Sequence, residues 1–507
     1  MLATVIACGD AGGVHISIGL PDDALSPVAQ NLARLELVAE SDGKPAESVT
    51  RDVPAAAMGR PAIGFGDIAL GNAVRLSLRG FSASGRLVGF GRASAPVDIK
   101  DGSSLAVSIP LRRPFAYVAG GSSLVACDTT VEPGDAFVSA IDAGAAPAAV
   151  ATTADGTEVL AIGGNELHIL SSANHRSTGA PVSTLTPGAT EIGVSPDSRW
   201  AVIVHAGANA DKGVSIVNLD EARRGAVTPT FVALDEPGGV AVANDTAWIL
   251  VDPSVPGPDA CSRQSALVPV ALATGDTGAA ASLAGAARDL ALSADGRTIY
   301  VAEPCQGAIV AVTAAGMSQV SLVAVPGPTQ VAVAGTRVWA LGAGSPPEHL
   351  VLVSVNEDRS AMSRLDLAAT QELAKSNDLT EDGQTAEVRL DADGIEATSM
   401  SVLPDGRNVV FLVHGTYHAD QIVRTIVFGD ISFDEEIVPD LDMETYEYQL
   451  VDVTTGAATQ RLRTSCTIDW DKGVALLDDW ACASAQGQVT ADEDFIARQA
   501  TVLYGAH

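Results

Sequence analysis

Three histidines lie where a recurring metal ligand would be expected. His205 in VIVHAGANADKG and His414 in FLVHGTYHADQ occupy the same position in two copies of a repeated segment, and His418 follows shortly after His414. A metal pair with His418 as a third ligand would require these copies to be neighbours in space. The two copies are not consecutive, and copies of one ancestral unit retain a residue without any ligand. The sequence therefore predicts no histidine metal site.

Two groups of carboxylates could bind calcium. Asp391–Gly394 (DADG) has carboxylates two residues apart and a glycine, as the opening of a calcium loop does. The twelfth position of an EF-hand loop counted from Asp391 is Val402 and not the required glutamate, so the segment is not an EF-hand. The second group is Asp440, Asp442 and Glu444. A calcium site of another kind and a solvated acidic loop are the two interpretations of each group, and no cofactor other than calcium is suggested.

Motifs for nucleophilic catalysis and for phosphate binding are absent from the sequence. No G-x-S-x-G elbow occurs. The glycine-containing segments GGN and GAGSP lie at strand ends, and neither opens a helix as a phosphate cradle requires. We assign no catalytic residue.

Four cysteines form two candidate disulfides. Cys261 in DPSVPGPDACSRQ and Cys305 in VAEPCQGA lie in the loop that follows the same segment of consecutive repeats. Equivalent loops of neighbouring repeats lie side by side, which predicts a bond between these two cysteines. Cys466 and Cys482 are the second pair, and their bond would close a loop of 482 − 466 = 16 residues. A bridge of that span adds about 3 kcal/mol of stability. Cys127 is left as a buried thiol.

The sixth cysteine lies in a segment that resembles a lipid attachment site. Val5-Ile6-Ala7-Cys8 followed by Gly-Asp is similar to a bacterial lipobox, in which the cysteine is acylated and becomes the first residue of the mature protein. Only seven residues precede Cys8, fewer than a secretion signal needs, so either the true start lies upstream or the match is chance. The alternative is a buried cysteine in a short strand. We expect a lipid-anchored protein of the cell envelope, periplasmic or on the outer surface, whose anchor is its one link to the membrane, since no apolar run is long enough to span one.

A hairpin signature, consisting of a tight turn followed by an apolar strand, recurs through the middle of the chain. The turns are marked by Asp155, Asp197, Asp245, Asp295, Gly335 and Asp405, at spacings of 42, 48, 50, 40 and 70 residues. Pro-Asp-Gly and Ser-Asp suit a type I turn, and three to four strands at this period indicate β-propeller blades. The segments RDLALSADGRTIYVAEP and GVSIVNLD resemble the YVTN-type propeller family. That resemblance covers about residues 115–460 and implies the fold without implying an activity.

The predicted architecture is all-β, with a propeller over residues 114–507. Seven blades fit the hairpins best when FAYVAGG at 115–121 is included, and six or eight are the alternatives. An insertion at about 356–394 interrupts the repeats before Asp405, and its segment Ser363–Ser376 has a helical pattern. Such an excursion is either a functional loop or a solvated one. A last strand near the C-terminus is expected to pair with the first blade and close the ring.

The N-terminal part lacks the hairpin signature. Residues 1–12 hold the lipobox and a short linker, and residues 13–113 alternate apolar and polar side chains as half-buried antiparallel strands do. We expect a β-sandwich here. It resembles the immunoglobulin-like or transthyretin-like modules of bacterial surface lipoproteins, and that resemblance implies a spacer that separates the propeller from the membrane.

The net charge of the chain limits which molecules it can bind. Thirty basic and 62 acidic residues give a net charge of −32, so nucleic acid and anionic membrane surfaces are excluded as partners. We expect a non-enzymatic lipoprotein that binds a protein or glycan at the cell envelope. The alternative is a metal-dependent hydrolase of the lactonase type that uses the propeller channel, although no residue here matches such a catalytic set.

Overall fold

The computed structural model describes most of the chain, in segments separated by gaps. The described residues are 13–19, 28, 31–41, 47–53, 62–66, 68, 71–93, 95–100, 105–120, 123–130, 137–141, 143, 147–153, 156–172, 174–183, 186–207, 211–225, 227–253, 261, 263–293, 295–334, 337–343, 349–357, 362–368, 377–381, 384–403, 408–428, 431–437, 441–456, 458–470 and 497–506. In these segments the fold is all-β, as the sequence predicts.

The N-terminal region forms two sheets, named A and B. Its strands are β1 (Gly13–Gly19), β2 (Arg34–Glu40), β3 (Glu47–Asp52), β4 (Ala62–Gly66), β5 (Gly71–Phe81), β6 (Leu87–Arg92), β7 (Val97–Ile99) and β8 (Leu105–Pro110). Sheet A has the order β4-β1-β8, and sheet B the order β3-β2-β5-β6 with β7 beside β5. One buried cluster takes side chains from both sheets, including Leu37 of β2, Phe65 of β4 and Ile109 of β8. The alternation of apolar residues along these strands therefore marks their buried face.

The rest of the described chain forms seven sheets, I to VII in chain order. Sheets I to III contain β9 (Arg113–Gly120), β10 (Ser123–Asp128), β11 (Phe137–Ile141), β12 (Pro147–Thr152), β13 (Glu158–Gly163), β14 (Glu166–Ser171), β15 (Arg176–Ser177), β16 (Val182–Ser183), β17 (Ala189–Val194), β18 (Trp200–His205), β19 (Gly213–Asn218), the short helix α1 (Leu219–Ala222) and β20 (Thr230–Ala233).

Sheets IV to VI contain β21 (Pro237–Val242), β22 (Thr246–Val251), β23 (Ala266–Ala271), β24 (Ala281–Ser282), β25 (Asp289–Leu292), β26 (Thr298–Glu303), a 3-10 turn (Pro304–Gln306), β27 (Ala308–Thr313), β28 (Gln319–Ala324), β29 (Pro328–Ala334), β30 (Arg337–Ala343), β31 (His349–Asn356) and β32 (Met362–Ala368). Sheet VII contains β33 (Asn377–Glu381), β34 (Gln384–Val402), β35 (Asn408–Phe428), β36 (Ile431–Ile437), β37 (Leu441–Asp452) and β38 (Ala458–Trp470). The last strand, β39 (Ala497–Ala506), belongs to sheet I.

The arrangement of these sheets is propeller-like. Sheets III to VI are four-stranded antiparallel meanders in chain order, and sheet I has the order β11-β10-β9-β39. One strand of each sheet, which we call its first strand, contacts its counterparts in the two neighbouring sheets, in the cyclic order β39, β12, β17, β21, β25, β29, β34 and again β39. Apolar side chains of facing sheets fill each seam, as Ile216 of sheet III and Ile249 of sheet IV do. Successive residues of one strand thus pack alternately into the seams on its two sides.

Local hydrogen bonds explain why the repeated turns form. The Ser195 hydroxyl donates to Asp197 Oδ1 at 2.6 Å and accepts from the backbone N–H of Trp200 at 2.9 Å. Ser293 and Asp295 repeat the first of these bonds at 2.7 Å. The residue after each aspartate is left-handed, with φ of 57° at Ser198 and 73° at Gly296, which is why glycine recurs in the signature. Asp155, Gly335 and Asp405 lie outside the described residues.

Sheet VII departs from the others in strand length. Its strands β34 and β35 have 19 and 21 residues, against six for β18 and β26. The helical pattern predicted for Ser363–Ser376 is wrong where the structure describes it, because Met362–Ala368 is β32 and pairs with β31 along its length. Pairing with an available sheet edge outweighs helix propensity here. Much of the predicted insertion at 356–394 is thus β32, β33 and part of β34.

The N-terminal region packs against sheets I and VII. Phe81 and Leu87 share a buried cluster with Val118 of sheet I and with Leu412 and Tyr448 of sheet VII. The Arg86 guanidinium donates to the Thr130 carbonyl at 3.2 Å. The region therefore covers the seam at which the first and last sheets meet.

No helix among the described residues is long and apolar enough to cross a membrane.

Candidate functional site

The two ends of each sheet carry different connections between strands. We call the end that carries the repeated turns between first and second strands the turn end. The opposite end, where first strands begin and second strands finish, is the loop end. It carries the connections between second and third strands, including those after β22 and β26. Loops held by a rigid scaffold are where binding residues concentrate.

A disulfide joins two neighbouring connections at the loop end. Cys261 lies between β22 and β23 of sheet IV, and Cys305 lies between β26 and β27 of sheet V. The two are bonded, with Cα atoms 5.5 Å apart, as the alignment of the two repeats predicts. Cys127 is buried and free. Cys8 and Cys482 lie outside the described residues, as does the side chain of Cys466, so lipidation and the Cys466–Cys482 bond stay predictions.

Two carboxyl groups bridge neighbouring sheets close to the centre of the arrangement. Glu191 of β17 accepts a hydrogen bond from the Val240 N–H of the next sheet at 3.1 Å. Asp289 of β25 accepts one from the Val331 N–H of the next sheet at 2.8 Å. Both residues occupy the same register position, since Glu191 pairs with Val204 and Asp289 with Ala302 on their second strands. Each side chain thus ties its own first strand to the following one.

Burial makes these two carboxyl groups weak acids. Desolvation, together with the nearby charge of Asp289, raises the pKa of Glu191 to about 8. Desolvation also raises the pKa of Asp289 to about 6, although backbone N–H donors from Val331 and Leu290 oppose it. Near neutral pH the pair can therefore hold or release a proton, which surface carboxylates do not.

A third carboxyl group is enclosed at the loop end. Glu303 ends β26 with no exposed surface, and neither of its carboxylate oxygens has a hydrogen-bond partner among the described residues. Burial raises its pKa. Gly285 makes room for it, because a Cβ at that position would lie 3.2 Å from Glu303 Oε2. Burial without hydrogen-bond partners disfavours the charged form of a carboxyl group.

One ion pair links two non-adjacent sheets. Arg288, just before β25 of sheet V, pairs with Glu396 in β34 of sheet VII. Sheet VI lies between them in the cyclic order. Burial lowers the pKa of Arg288, and the adjacent Asp289 opposes that shift.

Two acidic residues at the loop end have left-handed backbones, and at the first of the two positions other sheets have glycine. Glu236 has φ of 41°, where the equivalent positions of sheets III and VI hold Gly188 and Gly327. The equivalence follows from the backbone: the residue after the second strand donates to each carbonyl, Ala206 to Gly188 and Asp252 to Glu236. Asp252 itself has φ of 51°. Such strain costs about 1 kcal/mol or more, so sheet IV places acidic side chains here at the expense of stability.

The prediction that His205 and His414 are equivalent is wrong by one residue. His205 pairs with Ala189, one step before the bulge of β17, whereas the corresponding partner of Ala397 in β34 is Val413. His205 is fully buried with Nε2 2.9 Å from Ser215 Oγ, and desolvation lowers its pKa to about 4. His414 stacks on Tyr446, with ring centroids 4.5 Å apart. The two belong to sheets III and VII, which are not neighbours.

The predicted calcium groups lie in strands for the most part. Asp391–Gly394 falls within β34, Asp442 and Glu444 fall within β37, and His418 falls within β35. Their side chains and Asp440 lie outside what the structure describes. Among the side chains that are described, no group of three or more His, Cys, Asp or Glu residues could hold a metal ion.

Sequence reasoning missed Glu191, Asp289, Glu303 and the Arg288–Glu396 pair. A usable signal existed for the first two, because an acidic residue within an otherwise apolar first strand is unusual. No local signal marks Glu303 or the ion pair, since their environments come from residues distant in sequence.

Comparison with known proteins gives no family. No family model matches the chain, and no curated protein matches it. Among solved structures, hydrazine synthase of Kuenenia stuttgartiensis is similar at 13% identity and a TM-score of 0.34, covering 54% of this chain and 79% of that one. A functionally unknown protein from Desulfotomaculum acetoxidans gives 13% identity and a TM-score of 0.44, covering 63% and 94%. The nidogen/laminin complex gives 9% and 0.33, covering 50% and 92%. Likenesses this weak carry no information on activity.

Proposed function

We propose that residues 114–507 form a seven-bladed β-propeller of the YVTN type. The cyclic contacts among seven first strands support seven blades in preference to six or eight. Pairing of β39 with β9 supports closure of the ring by the two ends of the propeller chain. An experimental structure with any other number of blades in the ring would contradict this assignment.

The N-terminal region is a β-sandwich in this proposal. The single apolar cluster shared by sheets A and B supports that assignment. Its contacts with sheets I and VII lie at the turn end. Thr130 follows β10, which is the third strand of sheet I when the strands are counted from β39, and third strands finish at the turn end. The loop end of the described chain is thus the end opposite the N-terminal region.

The protein functions as a non-enzymatic binding protein of the bacterial cell envelope, with the loop end as its recognition surface for a protein or glycan. The observation that carries this proposal is the Cys261–Cys305 bond, which fixes two neighbouring loops relative to each other. Preorganised loops lose less entropy on binding. Acidic residues held in strained backbone at Glu236 and Asp252 add support, since strain concentrates at functional positions.

Envelope localisation rests on the disulfide and on the lipobox around Cys8. Disulfides persist in oxidising compartments such as the periplasm and the cell surface. Acylation predicts that the protein expressed in a bacterium partitions into detergent, and that Cys8→Ala releases it into the aqueous phase. A parent protein that is already aqueous would contradict the anchor.

A charge reversal at each end tests the recognition surface. Purified protein is titrated against isolated cell envelopes of the host bacterium, intact, protease-treated or stripped of glycan by glycosidases. Glu236→Arg should weaken binding by more than about tenfold, the effect of losing one charged contact. Glu221→Arg, at an exposed position of α1 at the turn end, is the matched control and should leave binding unchanged. Equal binding by both variants, or no binding by the parent, would refute the proposal.

A further inference from the structure

Glu303 places a carboxyl group at the loop end of the seam between sheets IV and V. The residue is the last of β26, and it pairs with Ala308 of β27. Side chains alternate between the two faces of a strand, so Glu303 faces the same side as Val301. Val301 belongs to the apolar cluster that fills this seam. The carboxyl group therefore closes the loop end of an apolar seam.

The equivalent residue of sheet III has a partner that Glu303 lacks. His205 ends β18 as Glu303 ends β26, and each pairs with the first residue of its third strand. The third residue of that strand is Ser215 in sheet III, and its hydroxyl lies 2.9 Å from His205 Nε2. In sheet V the third residue is Val310, which has no polar side-chain atom. Sheet V thus does not supply the hydrogen bond that sheet III supplies.

Glu303 is covered by a side chain that is free to move. A Cβ atom at Gly285 would lie 3.2 Å from both Glu303 Oε2 and Gln306 Nε2, so the Gln306 amide lies over the carboxyl group. Gln306 is exposed, and among the described residues no hydrogen bond holds its amide in place. Rotation of this side chain would open a path to Glu303 beside Gly285, where no side chain blocks it.

The backbone around this covered carboxyl group is fixed. Cys305 lies in the same 3-10 turn as Gln306 and is bonded to Cys261 of the neighbouring sheet. Between the two sheets, the Ser265 hydroxyl accepts from the Ala287 N–H at 2.8 Å and donates to the carbonyl of sheet IV residue 252 at 2.7 Å. A ligand that reaches Glu303 therefore orders little more than one glutamine side chain, which lowers the entropy cost of binding.

We propose that the Glu303 carboxylate binds the ammonium group of a lysine side chain of a protein recognised at the loop end. This inference rests on the proposed recognition function and makes the partner a protein and not a glycan. An opposite charge close by favours the ionised form of a carboxyl group that burial disfavours. The net charge of −32 also favours the approach of a cation over that of an anion.

The depth of the carboxyl group selects a lysine among cationic groups. Lysine carries its charge at the end of a flexible four-carbon stem, which can lie along apolar surface. Leu283 and Ala287, on either side of Gly285 in the sequence, are buried in the apolar cluster and supply that surface. The ammonium group of an amino sugar sits directly on a bulky ring, and the guanidinium group of arginine is wider. A metal ion would need more ligands than one carboxylate.

Methyl NMR of the full-length oxidised protein measures binding at this position directly. The probe is n-butylammonium, which reproduces the stem and the charge of a lysine. It should shift the methyl signals of Leu283 and Ala287 saturably, whereas 1-butanol and glucosamine should not. Glu303→Gln should weaken the binding of n-butylammonium by about 30-fold or more, as expected for loss of one buried charged contact.

A pair of glycine variants tests the path to the carboxyl group without changing any charge. Gly285→Ala adds a Cβ that crowds Glu303 Oε2, so it should weaken the binding of n-butylammonium. Gly316→Ala is the matched control at the turn end of sheet V, where the nearest atom would be 3.4 Å away, and it should bind as the parent does. Glu303→Gln should melt near the parent's temperature, because no hydrogen bond is lost. No saturable shift in the parent, equal shifts with 1-butanol or glucosamine, or parent-like binding by Glu303→Gln would overturn the proposal.

Isolated cell envelopes separate this inference from the recognition function on which it rests. The parent should bind envelopes that are untreated or treated with glycosidases, and should bind weakly once their lysines are acetylated or their proteins digested. Glu303→Gln should bind untreated envelopes as weakly as the parent binds acetylated ones. Parent-like binding by Glu303→Gln would overturn the lysine contact and leave the recognition function standing. Absence of any binding by the parent would refute the recognition function, and the lysine partner with it, even if n-butylammonium binds.

Discussion

The turn end and the loop end of the propeller-like region are stabilised by different means. At the turn end, sheets III and V use the same serine and aspartate in the same hydrogen bond, and the N-terminal region packs over sheets I and VII. At the loop end, the second strands of the sheets finish in different residues. Sheet III ends its second strand with His205, sheet V ends it with Glu303, and sheets IV and V are joined by a disulfide.

This difference separates what builds the fold from what distinguishes this chain. Repeated local interactions at the turn end fix each hairpin independently of its neighbours. The loop end carries buried ionisable groups, strained acidic residues and a covalent link, all of which cost stability or require an oxidising compartment. The repeated interactions thus lie at the turn end, and the features typical of function lie at the loop end.

The largest effect should come from the contact of the N-terminal region at the turn end. Phe81 and Leu87 are 1% and 3% exposed within the cluster shared with sheets I and VII. The double variant Phe81→Ala/Leu87→Ala should lose more than about 5 kcal/mol, since each truncation leaves a cavity. Hydrogen exchange of the full chain should show faster exchange in β9, β10 and β37 and little change in sheets III to V.

Phe65→Ala is the control for that double variant. Phe65 is as buried as Phe81 but belongs to the cluster between sheets A and B. Its loss should speed exchange in β2, β5 and β8 before β9 or β37. If Phe81→Ala/Leu87→Ala leaves exchange in sheets I and VII unchanged, the N-terminal region is a spacer and does not hold their seam.

The disulfide at the loop end should contribute nearly as much to the free energy of unfolding. Cys261 and Cys305 are 44 residues apart, and closing a loop of that length stabilises the folded state by about 4 kcal/mol. Cys261→Ala/Cys305→Ala should lower the free energy of unfolding by this amount and make the protein insensitive to reducing agents. Exchange should rise at the loop end of sheets IV and V, while the turns at Ser195 and Ser293 stay protected. A variant as stable as the oxidised parent would show that the disulfide does not rigidify the loop end.

Glu191 should make the loop end sensitive to pH. Its pKa is raised to about 8 in the folded protein, so between its ordinary value of 4.5 and 8 the folded state holds a proton that the unfolded state has lost. Stability from this group is therefore full below about pH 4.5 and is lost as pH rises through 8, at up to about 1.4 kcal/mol per pH unit. Glu191→Gln should flatten that slope in urea titrations at pH 5 to 8.

An exposed acid controls for the overall negative charge in that titration. Glu221→Gln makes the same chemical substitution as Glu191→Gln but alters a solvent-exposed side chain. It should keep the parent's slope. Equal slopes for the parent and Glu191→Gln would mean that Asp289, or the surface charge, sets the pH response.

The features that could be predicted from the sequence are mostly those that depend on local contacts or on the alignment of repeats. The turns could be predicted because Ser195, Asp197 and Trp200 bond to one another within five residues. The Cys261–Cys305 bond could be predicted because the repeat aligns two loops. All-β architecture follows from apolar alternation and turn spacing.

The failures came where pairing between distant strands decides the outcome. Ser363–Ala368 has helix-forming residues but completes an edge of sheet VI. His414 is offset from His205 by one residue, which alternation turns into a different face of the sheet. Glu191 and Asp289 owe their raised pKa values to the neighbouring sheets.

The smallest effect should come from removing one serine of the turn signature. Ser195 is fully buried, and its hydroxyl holds both Asp197 and the Trp200 N–H. Ser195→Ala should cost about 1 kcal/mol, the net value of such hydrogen bonds. Because Ser293 makes the same contacts, with the Thr298 N–H at 2.9 Å, Ser293→Ala should cost the same within about 0.5 kcal/mol, and the double variant should be additive. Unequal or strongly coupled losses in urea denaturation would show that the turns are not interchangeable units, and the contrast between a repetitive turn end and an individual loop end would weaken accordingly.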